Sequence, residues 1–120
     1  MGFLATDLQV AAFRAADSDT SGSVQSLIAA PAAGLAIAVL TMDLTNTSST
    51  DALVTIQSAT NAIAYFSVAP DENVNRTWPA EAPLWCNAAE ALQWITDAGL
   101  TTLYIDIQGV IAILPDLTIA

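Results

Sequence analysis

The sequence contains no histidine and no lysine, and its only cations are Arg14 and Arg76, against twelve Asp and Glu residues. Without histidine the Ser-His-Asp and Cys-His arrangements of nucleophilic catalysis cannot form, and without lysine there is no Schiff-base former. Nucleic acids and anionic membrane surfaces both require clustered Lys and Arg, which a formal net charge of −10 does not provide. The sequence therefore predicts a protein that is not an enzyme, needs no cofactor, and binds neither nucleic acid nor membrane.

Cysteine is equally scarce, because Cys86 stands alone and excludes both an intrachain disulfide and a CxxC zinc pattern. Since Trp85 precedes it and Leu84 is near, we expect a buried thiol rather than a reactive one. A charged, then apolar leader is also missing, and Pro31 and Gly34 interrupt the most apolar stretch. We therefore expect synthesis in a cytoplasm and a soluble product.

Charged residues make up only 12% of the chain, whereas apolar residues make up 54%. That charged fraction is about half of what soluble domains usually carry. Too few charges remain to cover the surface of a folded domain, so part of an Ala-, Thr- and aromatic-rich surface is expected to contact another chain.

Hydrophobic alternation predicts short strands separated by turns, as in an all-β sandwich. The predicted strands are 24–28, 35–45, 53–58, 63–68, 84–86, 103–107 and 110–114. The apolar side of 35–45 changes parity after Val39, which predicts a β-bulge or a strand buried on both faces. Residues 59–61 predict a hairpin, and Pro31 to Gly34 a turn.

Three segments are ambiguous or irregular. Residues 6–17 fit either a helix or an edge strand that carries Leu8, Val10 and Phe13. Residues 71–82 read as a long loop, and residues 88–95 as a helical turn by propensity. We predict an N-terminal arm or short helix over residues 1–19 and a β-sandwich domain over residues 20–120.

Along residues 20–114 a strand, a proline turn, a long strand, a polar loop and further strands follow one another. The segments that carry this order are 21–31, 35–40, 46–50, 53–58, 83–85, 90–92 and 101–109. The order resembles that of the capsid decoration (cement) proteins of tailed phages. The resemblance implies a jelly-roll-like antiparallel β-sandwich of about 7–9 short strands. It also implies a homotrimer that binds the major capsid protein on the virion surface.

Asp17-x-Asp19-x-Ser21-Gly22 matches the first half of a calcium loop, with oxygen ligands at alternate positions and a glycine at the sharp turn. The position of the bidentate glutamate is occupied by Ile28, which cannot coordinate. Asp17, Asp19 and Ser21 are therefore candidates for a weak calcium site, and an Asx-type turn is the favoured interpretation.

Paired carboxylates remain a possible route to acid–base chemistry, through Asp71, Glu72, Glu81 and Glu90. Nothing in their spacing brings these side chains together. The favoured interpretation is that they are solvated loop acids, which keep the protein soluble.

Four residues are candidates for an interface: Phe13, Arg14, Arg76 and Trp78. A lone arginine among many acids would relieve repulsion between copies in an assembly, although a local ion pair is an equal alternative. Trp78 lies between Thr77 and Pro79 in a polar stretch, so we expect it at a surface contact.

Two functions follow from these observations. The first is a virion structural protein, a decoration protein that stabilises the shell. The alternative is a carbohydrate- or receptor-binding module of a phage fibre. That alternative requires an exposed aromatic face, which the sequence could build from Tyr65, Trp78, Trp85, Trp94 and Tyr104.

Overall fold

The computed structural model describes residues 9–19, 23–79, 81–96 and 103–113, which form nine β-strands and no helix. The strands are β1 Gln9–Asp19, β2 Gln25–Ile28, β3 Leu35–Asn46, β4 Ala52–Ser58, β5 Asn61–Val68, β6 Asn73–Thr77, β7 Leu84–Trp85, β8 Leu92–Thr96 and β9 Leu103–Ile113. No helix capable of crossing a membrane occurs in the described part of the chain.

The strands form two antiparallel sheets. The five-stranded sheet has the order β1-β9-β3-β6, with β7 also paired to β3, and the four-stranded sheet has the order β2-β8-β4-β5. Because the chain passes from one sheet to the other at most connections, its consecutive strands interleave between two layers, as in a jelly roll. The predicted all-β sandwich is confirmed.

The core lies between the two sheets and contains the inward-facing residues of both. Strands β4, β8 and the first half of β9 alternate between buried and more exposed residues, which is the period of a half-buried strand. The largest fully buried side chains are Trp94, Ile37, Met42, Leu44, Ile56, Leu92, Leu103, Ile105, Ile107, Val39, Val54 and Val68.

Strand β3 contains the predicted bulge. Its register with β9 shifts between Val39 and Thr41, so Leu40 is the extra residue. Before the bulge β3 is buried on both faces, because Ala38 packs with Val110 and Ala112 in a second cluster outside the main core. Both predicted explanations of the parity change are therefore correct.

Two turns are fixed by local conformation. Gly34 has a φ of 84°, and it directly precedes Leu35, whose N–H donates to the carbonyl of Ala32. This left-handed conformation favours glycine. Strands β4 and β5 form the predicted hairpin, in which Ala59 adopts a φ of 50°.

Of the two alternatives for residues 6–17, the edge strand is confirmed over the described residues 9–17, which belong to β1 and pair with β9. The helix is absent from this described portion. Residues 1–8 lie outside the described residues, and the division of the chain at residue 19 stays a prediction.

The two other irregular segments are also corrected. The loop expected over residues 71–82 contains β6, which pairs with β3 although few of its side chains are buried. The helical turn expected over residues 88–95 is a turn followed by β8, with Ala89 at a φ of 58°. Helix propensity is a weak signal, and the burial of Leu92, Trp94 and Thr96 overrides it.

Candidate functional site

Arg14 is bound to an acid of the neighbouring strand on the outer face of the five-stranded sheet. Its Nε and Nη2 donate to Oδ1 and Oδ2 of Asp106, at 3.2 and 2.7 Å. Asp43 lies directly opposite Asp106 in the register of β3 and β9. The hydrogen bond from Arg14 holds the pKa of Asp106 below its ordinary value. Arg14 therefore offsets a cross-strand repulsion between two acids within the chain.

Beside this ion pair lies an open depression of about 200 Å³, which is lined by residues of β1, β3 and β9. The polar residues of its lining are Asp17, Asp43, Thr45, Tyr104 and Asp106. Within the described residues, no group of three or more His, Cys, Asp or Glu side chains is arranged to hold a metal ion. The described acids of the depression are therefore not arranged as metal ligands.

Asp17 connects the two sheets. Its Oδ2 accepts a hydrogen bond from Nε1 of the fully buried Trp94 at 3.0 Å, and its Oδ1 accepts one from the Ser18 N–H at 2.8 Å. Asp17 and Asp19 belong to strand β1 rather than to the expected turn. Ser21 and the side chain of Asp19 lie outside what the structure describes, so the calcium site stays a prediction. Asp17 itself serves as the acceptor of a buried indole.

Arg76, Phe66 and Trp78 form a cluster between edge strands β5 and β6. The guanidinium carbon of Arg76 lies 5.6 Å from the centroid of the Phe66 ring, and the Trp78 ring meets Phe66 edge-on with centroids 6.5 Å apart. Trp78 is half-buried and packs against the main core. This cluster covers one open side of the sandwich with aromatic surface and a cation.

The structure therefore unites two of the four predicted interface residues, Arg76 and Trp78. Phe13 and Arg14 are neighbours on β1 and point to opposite faces: Phe13 packs on the core, whereas Arg14 is exposed. The role of all four residues in an interface stays a prediction.

Cys86 is buried next to a hydrogen-bonded network. Ser58 is fully buried; its hydroxyl donates to Oε1 of Glu90 at 2.7 Å and accepts from the Asn87 N–H at 2.8 Å. Burial raises the pKa of the Cys86 thiol to about 11, which confirms the expected buried thiol. The pKa of Glu90 is lowered mainly by the hydrogen bond from Ser58 and to a smaller extent by the one from Asn87. The network fixes the turn before β8, whereas burial keeps the Cys86 thiol protonated at neutral pH.

The two sheets differ sharply in charge. Six charged residues lie in the described strands, and all six belong to the five-stranded sheet: Arg14, Asp17, Asp19, Asp43, Arg76 and Asp106. The described strands of the four-stranded sheet, β2, β4, β5 and β8, contain no charged residue. The charge of the strands is therefore confined to one layer of the sandwich.

The outer surface of the four-stranded sheet, which we call the uncharged face, is partly apolar. Thr55 lies at its centre and is paired with Ile95 on one side and Tyr65 on the other. Tyr65 is 67% exposed, and Leu53, two residues along β4 from Thr55, is 44% exposed. Sequence reasoning missed this surface, because it appears only when the strands are assigned to sheets.

The aromatic residues that a carbohydrate-binding face would need do not share a surface. Trp94 is buried between the sheets, and Trp85 packs on the second cluster with Ala38. Tyr65 and Tyr104 are exposed, but they belong to different sheets. The structure therefore leaves single exposed rings rather than a stacking platform.

No protein-family model matches this sequence, and a search of curated proteins gave no match. Among solved structures, the crystal structure of PirA gives a TM-score of 0.49 at 10% identity, covering 81% of this chain and 93% of that one. A structure of Bacillus endospore appendages gives 0.41 at 12% identity, covering 82% and 84%. The Tobacco streak virus coat protein gives 0.40 at 7% identity, covering 89% and 91%. At these scores and identities the resemblances carry no argument about function.

Proposed function

We propose that this chain is a structural protein, which works by docking onto other subunits of an assembly rather than by chemistry. The observation that supports the proposal is the uncharged face. Protein interfaces are depleted in charged residues at their centre and enriched in tyrosine, and the uncharged face has both properties. It displays Tyr65 and Leu53 in a protein whose net charge is −10.

In its finer form, the proposal is a capsid decoration protein on the virion surface, a homotrimer that binds the major capsid protein. The resemblance of residues 20–114 to decoration proteins supports this form, and so does the jelly-roll order of the strands. Its mechanism would be the burial of weakly polar surface across joints of the shell, which adds the binding free energy of each copy to shell stability.

Cryo-electron microscopy of native particles that contain this chain tests the proposal. The expected result is density for the sandwich on the outside of the shell, with its uncharged face buried against protein. Location of the chain away from any shell or fibre would overturn the proposal. Heating particles with and without the bound chain gives the energetic counterpart, since a decorated shell should disassemble at a higher temperature.

A further inference from the structure

We infer that the free side of strand β5 binds an extended segment of another protein of the assembly, and that this segment carries a carboxylate that contacts Arg76. The segment pairs with β5 through the main chain, as an added strand. The inference rests on the proposed structural function. It assigns a binding site to one edge of the sandwich, beside the cluster of Arg76, Phe66 and Trp78.

Strand β5 is an edge of its sheet that offers main-chain groups to another chain. It pairs with β4 alone, so its other side has no strand partner among the described residues. Proteins commonly protect such edges with charged residues, prolines or short strands. Strand β5 is eight residues long and contains neither a charged residue nor a proline. Its register shift with β4 lies near the hairpin end, and the pairing is regular from Ala64 to Val68.

The other edges of the described sandwich are protected in one of these ways. Strand β1 carries Arg14, Asp17 and Asp19. Strand β6 has five residues, includes Arg76, and is soon followed by Pro79. Strand β7 has two residues, and β2 has four with a register shift against β8. Comparison of the described edges therefore selects β5 as the site for an added strand.

The cation beside β5 defines the chemistry of the bound segment. Arg76 is exposed, and among the described residues it forms no ion pair. Its guanidinium carbon lies 5.6 Å from the ring centroid of Phe66, which belongs to β5. An added strand would lie about 4.8 Å from β5, and its residue opposite Phe66 would place its Cβ about 5 Å away on the same face. A side chain at that position reaches the guanidinium.

Docking of the segment would remove water from Arg76. A desolvated cation without an anionic partner is strongly unfavourable, so the segment needs a carboxylate opposite Phe66. The guanidinium and the carboxylate then form a charge-assisted pair, while the rings of Phe66 and Trp78 supply apolar contact beside it. Arginine and tryptophan are also residue types that often dominate binding.

A second copy of this chain suits the site less well than another protein does. Two copies of formal charge −10 repel each other. Strands β2, β5 and β6 contain no acid that could contact Arg76. In β1, Asp17 already accepts the indole N–H of Trp94, and Asp19 is the last residue of the strand, so that pairing it with Phe66 would leave most of β5 unpaired. The segment is therefore assigned to the protein on which this chain docks.

Synthetic peptides test the chemistry of this site. The probes are two peptides of about nine residues that alternate valine and threonine, one with aspartate and one with asparagine at the centre. Each is titrated to about 2 mM into the isotope-labelled chain, while NMR follows the amide signals. We expect shift changes and slowed hydrogen exchange along 61–68, with the aspartate peptide bound about five- to tenfold more tightly. Net charge alone predicts the opposite order, because a chain of charge −10 repels the aspartate peptide.

Matched variants identify the cation responsible. Arg76→Gln should abolish the preference for aspartate, whereas Arg14→Gln, which removes the same charge from β1, should retain it. Arg76→Lys keeps the charge and should preserve part of the preference. Thermal unfolding of each variant excludes a folding defect. A preference that survives Arg76→Gln overturns the inference, and so does one that Arg14→Gln abolishes in a folded chain.

Three other results of the titration also overturn the inference: binding of neither peptide, equal affinity of the two peptides for the unaltered chain, and shift changes confined to another edge. Light scattering of the chain alone tests the other occupant, because association of copies with protection of 61–68 would assign β5 to a second copy. Failure of the proposed function gives a different result: the aspartate peptide binds β5, yet the chain is found on no assembly. Conversely, particles that carry the chain on their shell with β5 open to solvent leave the proposed function intact and overturn only this inference.

Discussion

Replacement of Trp94 by phenylalanine removes the indole N–H that donates to Asp17 while it keeps an aromatic ring in the core. A hydrogen bond to a charged acceptor contributes about 1.5–3 kcal/mol, and the smaller ring loses roughly 1 kcal/mol of apolar burial. We therefore expect Trp94→Phe to lower the free energy of unfolding by about 2.5–4 kcal/mol. Asp17→Ala should cost about 1–3 kcal/mol, because it leaves the N–H of a fully buried indole without its acceptor.

The double variant decides whether these two costs share one interaction. If the bond between the sheets is their common origin, the double variant loses less than the sum of the two, by about 1.5 kcal/mol. The bond that Asp17 makes with the Ser18 N–H is lost in both backgrounds, so it cancels in the cycle. Equilibrium unfolding in guanidinium chloride, with equal m-values for all four proteins, measures each term. Additivity within about 0.5 kcal/mol would refute the assigned bond.

Three further predictions concern other parts of the fold. Gly109→Ala should destabilise the protein by about 3 kcal/mol or more, because the added Cβ would collide with the carbonyl oxygen of Ala38 in central strand β3. A change below about 1 kcal/mol in urea unfolding contradicts this prediction. Cys86 should react with a thiol reagent only as fast as the protein unfolds, because burial raises its pKa to about 11; rapid labelling of the folded protein would contradict this. The lowered pKa of Glu90 stabilises the fold above the ordinary glutamate pKa, and this stabilisation should disappear as the pH falls through the pKa of the folded state. The free energies of unfolding of Glu90→Gln and the unaltered chain should therefore converge in acid. A difference that stays constant with pH would contradict the assigned bond.

Local patterns predicted most of the strands correctly. Alternation of Leu103, Ile105 and Ile107 identified a half-buried strand, and the parity change after Val39 identified the bulge. These signals are local, because a side chain's orientation on a strand depends on its position within that strand alone.

The failures share a physical cause. Strand β6 has few buried side chains and is held by main-chain pairing with β3, so its sequence lacks the alternation that marks a strand. Strand β8 follows Ala88, Ala89 and Glu90, whose helix propensity is overridden by the burial of Trp94. In both segments tertiary contacts decide the conformation.

The candidate site was predictable only in part, for a topological reason. Arg14 and Arg76 stand out by composition. The partner of Arg14, however, is Asp106 on β9, which pairs with β1 although the two strands lie near opposite ends of the sequence. No sequence pattern singles out Phe66, yet both Arg76 and Trp78 contact its ring. Contacts between distant strands require the sheet order, which single-sequence patterns do not contain.

The same reasoning explains why the sequence alone did not predict the uncharged face. Along the chain, charged strands β1, β3, β6 and β9 alternate with the uncharged strands of the other layer, so acids appear evenly spread. The jelly-roll order then sorts consecutive strands into opposite sheets and collects the charges of the strands on one of them. In this chain of net charge −10, that order leaves the described strands of the four-stranded sheet without a charged residue. The fold therefore segregates the charges of the strands as well as building a core.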